Sequence, residues 1–169
     1  SDKIKSKKIV SLILGGPNKY YSFNKNQLTE IFSEVKFNFV SKGYEVIVIP
    51  SMRTPKDIID LANFFFNESG CVLNSVDKKA YLSALALAEN IIVTCDSTSM
   101  ISEAATSGKP IFVAHMQAKR NNYRFKKFFK LFKQIGIIRD LGEKVERWNY
   151  IKLNEAERIA KKISAKIKK

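Results

Sequence analysis

Apolar positions along the chain follow two rhythms. KIVSLILGG (8–16) is a continuous β-rich run that ends on two glycines. Leu28, Ile31, Phe32, Val35 and Phe39 then recur at the three-and-four spacing of one helix face. VIVIPS (46–51) reads as a second buried strand stopped by Pro50, and Pro55 as the first residue of a helix through Ile58, Ile59, Ala62 and Phe65. CVLN (71–74) is a third strand, Tyr81 to Ala88 a third helix, and IIVTC (91–95) a fourth strand. The capping residues Asp96-Ser97-Thr98-Ser99 open a helix that ends at Gly108, and Pro110 leads into a fifth strand, IFVAH (111–115). Beyond it the pattern predicts a basic helix over about 122–135, a short IGII segment with Arg139, and a terminal helix from about Asn154.

Strands apolar on both faces and separated by helices predict a parallel sheet covered on each side. With right-handed crossovers this is an α/β, Rossmann-like doubly wound parallel sheet. At 169 residues and 45% hydrophobic, the chain suits one domain, 1–169, large enough to bury roughly two-thirds of its unfolded surface. Cys71 and Cys95 each lie in an apolar run and outside any CxxC or Cys/His cluster, so both read as reduced core thiols of a cytoplasmic protein. No apolar run approaches the roughly 18 residues that span a bilayer. The amino end, SDKIKSKK, is charged rather than apolar and carries no initiating Met, so we read the chain as one half of a longer protein.

The charge is uneven. Residues 1–115 hold 13 Lys+Arg against 11 Asp+Glu, whereas residues 116–169 hold 17 against 5. The basic third implies an anionic partner: acidic lipid, nucleic acid or a phosphorylated substrate. In NNYRFKKFFKLFKQ (121–134), Phe125, Phe128, Phe129 and Phe132 form one helical stripe flanked by Lys126, Lys127, Lys130 and Lys133. Such a helix either lies on an acidic membrane or docks its stripe on the sheet with its lysines solvated. Nucleic acid ranks last, because base-stacking aromatics need exposure and this periodicity implies burial.

Ligands of an open parallel sheet bind outside the carboxyl ends of its strands, and three loops there carry chemistry. In Gly15-Gly16-Pro17-Asn18-Lys19, glycines allow close backbone approach to a ligand and Lys19 suits a phosphate. Ser51, Arg53 and Thr54 place two hydroxyls and a two-pronged phosphate donor beside a helix start. Asp96, Ser97, Thr98, Ser99 and Met100 lead into another helix start, with Glu103 one turn inside, where an acid can accept both hydroxyls of a ribose. Each loop also has a plain structural reading as a turn or a helix cap. No carboxylate cluster suits a divalent metal; His115 is the only histidine, and a structural role is expected of it.

Together these pieces resemble the carboxyl-terminal, nucleotide-binding domain of GT-B glycosyltransferases, whose signature runs from a polar stretch through a ribose glutamate to Gly-x-Pro. Ser97, Glu103 and Gly108-Lys109-Pro110 stand in that order. The closer resemblance is to the mitochondrial-fission ELM family, through LGGPNKYY (14–21), SMRTP (51–55) and TCDSTSMISEAATSGKP (94–110). The sequence departs from that family at Lys79-Ala80-Tyr81, where its members tend to read Asn-Pro-Tyr. The resemblance implies a nucleotide cleft at Gly15, Gly16, Arg53, Ser97, Ser99 and Glu103. It also implies a UDP-sugar-like donor, no cofactor, and a missing amino-terminal domain that supplies the catalytic base. On that reading Arg53 stabilises the leaving diphosphate, and the isolated domain binds without turnover. Two alternatives stay open: a non-catalytic scaffold acting at membranes, and a nucleoside-diphosphate-sugar epimerase. Against the latter, the first strand lacks a Gly-x-x-Gly-x-x-Gly turn, and Tyr21-x-x-x-Lys25 falls too early to be a catalytic pair.

Overall fold

A computed structural model describes residues 7–74, 77–152 and Asn154. The expected terminal helix lies outside the described residues. Six strands form one parallel sheet in the order β3-β2-β1-β4-β5-β6, with β1 at Lys8–Ile13, β2 at Tyr44–Ile49, β3 at Gly70–Val72, β4 at Asn90–Thr94, β5 at Ile111–Ala114 and β6 at Ile138–Asp140. Five α-helices connect or flank them: α1 Lys25–Asn38, α2 Lys56–Phe66, α3 Lys78–Leu87, α4 Thr98–Ala104 and α5 Tyr123–Gln134. The sheet is the doubly wound Rossmann-like one that the alternation of elements predicts.

Alternate residues of each strand feed opposite cores, as a pleat with period two requires. On one face Val10, Leu12, Val46, Val48, Ile92 and Phe112 pack against α1 and α2. On the other, Ile13, Ile49, Ile91, Val93, Ile111 and Val113 pack against α3, α4 and α5. The helical stripe Leu28, Ile31, Phe32 and Val35 is the buried face of α1, and Phe39 is fully buried just beyond its end. Asn24 caps that helix reciprocally with Gln27.

The departures from expectation are local. Pro55 stands at the cap of α2, not inside it, with ψ 149°. The third helix begins at Lys78, capped by Asp77, one turn earlier than its apolar pattern indicates. The IGII segment yields β6, which pairs with β5 through Ile111↔Ile138 and Phe112↔Arg139. Its three residues are too few to show a strand rhythm on their own. Cys95 is a buried thiol, as expected, but Cys71 is exposed. It sits on the short edge strand β3, none of whose three residues is fully buried.

The aromatic stripe of α5 faces inward. Phe129 and Phe132 are buried, Phe128 stacks on Phe132 at 4.0 Å, and Phe125 meets Tyr21 edge-on at 5.3 Å. The ring face is therefore occupied by the protein itself, and Lys126, Lys127, Lys130 and Lys133 remain outside. Among the described residues no helix is long and apolar enough to cross a membrane.

Candidate functional site

Strand order reverses between β1 and β4, so the loops after these strands meet at the carboxyl rim of the sheet. Asp96 joins them. Its side chain is fully buried, and Oδ2 accepts hydrogen bonds from the Gly16 N–H at 3.0 Å and from Arg53 Nη2 at 3.2 Å. Its carbonyl accepts from Asn18 Nδ2 at 3.1 Å. Asn18 Oδ1 in turn takes the N–H groups of Tyr20 and Tyr21. Oδ1 of Asp96 is shielded from solvent and accepts no hydrogen bond from the described residues.

The loop after β2 is tied into the same cluster. Thr54 Oγ1 donates to the Gly15 carbonyl at 2.6 Å, and Ser51 Oγ reaches that carbonyl at 3.1 Å. Arg53 Nη1 donates to the Gly16 carbonyl at 3.2 Å. The two glycines are needed for this closeness. A Cβ on Gly15 would stand 2.0 Å from Asp96 Oδ2, and one on Gly16 would stand 2.2 Å from the Arg53 carbonyl oxygen. Their N–H groups already donate to Thr94 Oγ1 and Asp96 Oδ2. The glycines thus serve the packing of loop on loop, and their donors are not free for a phosphate.

Ser97 caps α4, its Oγ accepting from the Met100 N–H at 3.3 Å and lying 3.3 Å from Ser99 Oγ. The N–H groups of Thr98 and Ser99 fall in the first turn, where a helix offers no internal acceptor. Lys19 stands apart from these groups, exposed and with its ammonium 5.3 Å from the Tyr20 ring centroid.

Beside this cluster, a cavity of about 250 Å³ opens between β2, β3, α3 and α4. Ile49, Pro50, Leu73 and Met100 give it apolar walls, and Ser51, Asp77, Lys78 and Glu103 bring polar groups to it. The Glu103 side chain is exposed and makes no hydrogen bond or ion pair among the described residues. Tyr81 lines the same cavity, and its hydroxyl is sealed from solvent without a hydrogen-bond partner among the described residues. Burial, helped by the charge of Glu103, pushes the Tyr81 phenol up to about 12. Of the residues expected from sequence, Ser51, Met100 and Glu103 reach this cavity, whereas Gly15, Gly16, Asn18, Arg53, Thr54 and Asp96 form the neighbouring cluster. Lys78 and Tyr81 were not anticipated. The signal was Asp77, a capping residue that starts α3 early and brings Tyr81, one turn on, to the rim.

His115 follows β5 and holds Asp140 of β6 through Nε2–Oδ1 at 2.6 Å. Burial alone would raise the Asp140 carboxyl, but hydrogen bonds and charge from Lys133 and His115 hold it below its ordinary value. Among the described residues no group of three His, Cys, Asp or Glu is placed to hold a metal ion.

Comparison with known proteins places this architecture. Residues 2–167 match the family described as Mitochondrial fission ELM1. The chain belongs to that family. It is 33% identical over 174 residues to an uncharacterised protein, RP120, of Rickettsia prowazekii, covering 96% of this chain and 48% of the relative. It is 26% identical over 165 residues to the mitochondrial fission protein ELM1 of Arabidopsis thaliana, covering 93% and 37%. The chain therefore spans half or less of the length of these ELM relatives. Among solved structures, a protein of Listeria monocytogenes assigned as a UDP-N-acetylglucosamine 2-epimerase superposes with a TM-score of 0.59 at 13% identity, over 97% of this chain and 46% of the other. The peptidyl-cysteine decarboxylase EpiD superposes at 0.51 and 11% identity, over 89% and 97%. At such identities the likeness is one of fold: the ELM chain has the Rossmann-like parallel sheet that its alternation of strands and helices predicts.

Proposed function

We propose that the ELM domain binds a nucleoside-diphosphate sugar at the carboxyl rim of its sheet, as the donor half of a GT-B-like glycosyltransferase. One observation carries this reading: the unpaired Glu103 carboxylate stands at an apolar cavity of about 250 Å³ beside the point where strand order reverses. A cavity somewhat below the roughly 300–1,000 Å³ of drug-sized pockets suits a nucleoside better than a whole sugar nucleotide. The base enters between Leu73, Pro50 and Met100, and Glu103 accepts hydrogen bonds from the ribose hydroxyls. The diphosphate then extends toward the Thr98–Ser99 helix start, with Lys78 on the facing wall.

Arg53 fits a supporting role. Its guanidinium has five N–H donors, and Asp96 and Gly16 fix it in place while its side chain stays 45% exposed. A donor held in advance stabilises developing charge on a leaving diphosphate without reorganising. The acceptor site and the catalytic base belong, on this reading, to the remainder of the longer protein, and the chain alone binds without turnover. The same reading keeps the protein in the cytoplasm, with the exposed lysines of α5 as its contact to an acidic membrane surface.

A second reading, a non-catalytic scaffold, is favoured by the Asp96 cluster itself. Gly16, Arg53 and Asp96 Oδ2 already pair with one another without a ligand, which leaves only Asp96 Oδ1 without a donor among the described residues. Thermal unfolding with UDP, GDP, ADP, their sugar conjugates and NAD separates the readings. A ligand at about 100 times its dissociation constant stabilises by roughly 2.7 kcal/mol, a shift of several degrees. A shift with one nucleoside diphosphate that disappears in Glu103→Gln supports the donor site. A shift with NAD alone favours the epimerase, and no shift with any of them favours the scaffold.

A further inference from the structure

The β5–α5 loop and α5, with Tyr21, line a larger and open cavity of about 710 Å³. Its charge is one-sided. Arg120, Lys126, Lys130 and Lys133 line it together with His115, and no Asp or Glu does. Lys126, Lys130 and Lys133 follow the i, i+4, i+7 spacing that stacks side chains along one helix face, an arrangement in which like charges weaken the helix. The twelve residues of α5 contain no acid to relieve it. Asp140, just outside the lining, pairs with His115 and Lys133. Arg120, Lys126 and Lys130 have no carboxylate partner among the described residues. The other walls are fixed: Phe129 is buried, and Asn122 Nδ2 donates to the Tyr21 hydroxyl at 3.0 Å.

We propose that this cavity is a second anion site, which takes a phosphomonoester or pyrophosphate group carried by a small molecule or by a lipid headgroup. Arg120, Lys126 and Lys130, which line one cavity and have no carboxylate partner among the described residues, match a group bearing two or more negative charges. Arginine offers its planar fork and the lysines point charges. The volume lies in the range of pockets that hold small ligands. The 14–24 loop forms the wall between this cavity and the Asp96 cluster through Tyr21 and Asn18, and the cavity shares no lining residue with the nucleotide cleft. The assignment does not depend on what that cleft binds.

Calorimetric titration with inorganic pyrophosphate at about 150 mM salt tests it, since screening there suppresses diffuse charge attraction. The Lys126→Gln/Lys130→Gln double variant should bind pyrophosphate roughly tenfold or more weakly. Lys127→Gln, which removes a charge from α5 outside the cavity, should stay within about twofold of the original. Equal affinity in all variants would put pyrophosphate elsewhere and overturn the site. Equal loss in the double variant and in Lys127→Gln would reduce it to general charge attraction. Displacement by glucose 6-phosphate supports a soluble ligand. Displacement only by phosphatidylcholine vesicles containing phosphatidic acid supports a lipid headgroup. If neither pyrophosphate nor such vesicles bind, the proposal fails.

Discussion

Two polar clusters share the carboxyl rim of the sheet, and they differ in how far each satisfies itself. Around Asp96, three loops exchange hydrogen bonds through a fully buried carboxylate, an arginine and two glycine backbones. Around Glu103, an exposed carboxylate has no partner among the described residues, and a phenol hydroxyl is sealed in without one among them. Both are rich in the residue types that bind phosphates and sugars, yet the first uses them to hold the fold. The buried charge at Asp96 is tolerable because two donors meet Oδ2, although Oδ1 accepts from none of the described residues; near Glu103, which water solvates, it is the sealed Tyr81 hydroxyl that carries a standing penalty a ligand could remove. Capacity to bind is therefore better judged from what a site leaves unsatisfied than from which residues it contains.

The comparison breaks most directly at Asp96. Asp96→Ala leaves Gly16 N–H and the Arg53 guanidinium without their acceptor, and should destabilise by roughly 2–4 kcal/mol, reduced from the full buried-pair range because Arg53 is partly solvated. In a domain of this size that lowers Tm by on the order of 5–10 °C in a thermal scan. A variant as stable as the parent would show that the three loops are held by something else. Gly16→Ala comes next. Its Cβ would meet backbone rather than a movable side chain, so a loss of about 1–3 kcal/mol is expected in urea unfolding. An unchanged midpoint would mean that the loops can part freely.

The same contrast explains what the sequence revealed. Strand and helix order was legible because long apolar runs and the three-and-four stripe of α1 report burial directly. The membership of the three loops was legible too, since Gly-Gly, Ser-x-Arg-Thr and Asp-Ser-Thr-Ser all stand at strand ends. Their roles were not. Nothing in the sequence says that Arg53 faces Asp96, 43 positions away, because that pairing is made by the order of strands rather than by spacing. Cys71 misled for a related reason: an apolar run marks a strand, but not whether its outer face is covered. Tyr81 was hidden by a weak helix start, and β6 by its three-residue length.

At the open cluster, Glu103→Gln should leave stability within about 0.5 kcal/mol, since an exposed side chain without partners is removed. The same change should weaken binding of the matching nucleoside diphosphate by on the order of tenfold or more, the worth of a hydrogen bond to a charged group. Thermal scans with and without ligand read both numbers. A large loss of intrinsic stability, or an undiminished ligand shift, would make Glu103 one more structural residue and erase the distinction between the clusters.

Tyr81→Phe gives the smallest and most discriminating change, because its predicted sign is unusual. Replacing a core tyrosine normally removes a hydrogen bond and destabilises. Here the hydroxyl has no partner, and its removal deletes a desolvated polar group while leaving the ring against its neighbours. Without ligand, Tyr81→Phe should therefore match the parent or exceed it by up to about 1 kcal/mol. If the nucleoside supplies the missing partner, the same variant should lose part of the ligand-induced shift, so that one substitution stabilises the free protein and weakens the complex. Destabilisation of the free protein would instead show that the hydroxyl is already satisfied, by a bound water for instance. The Glu103 cluster would then be as complete as the one built on Asp96, and the case for a ligand there would rest on the cavity alone.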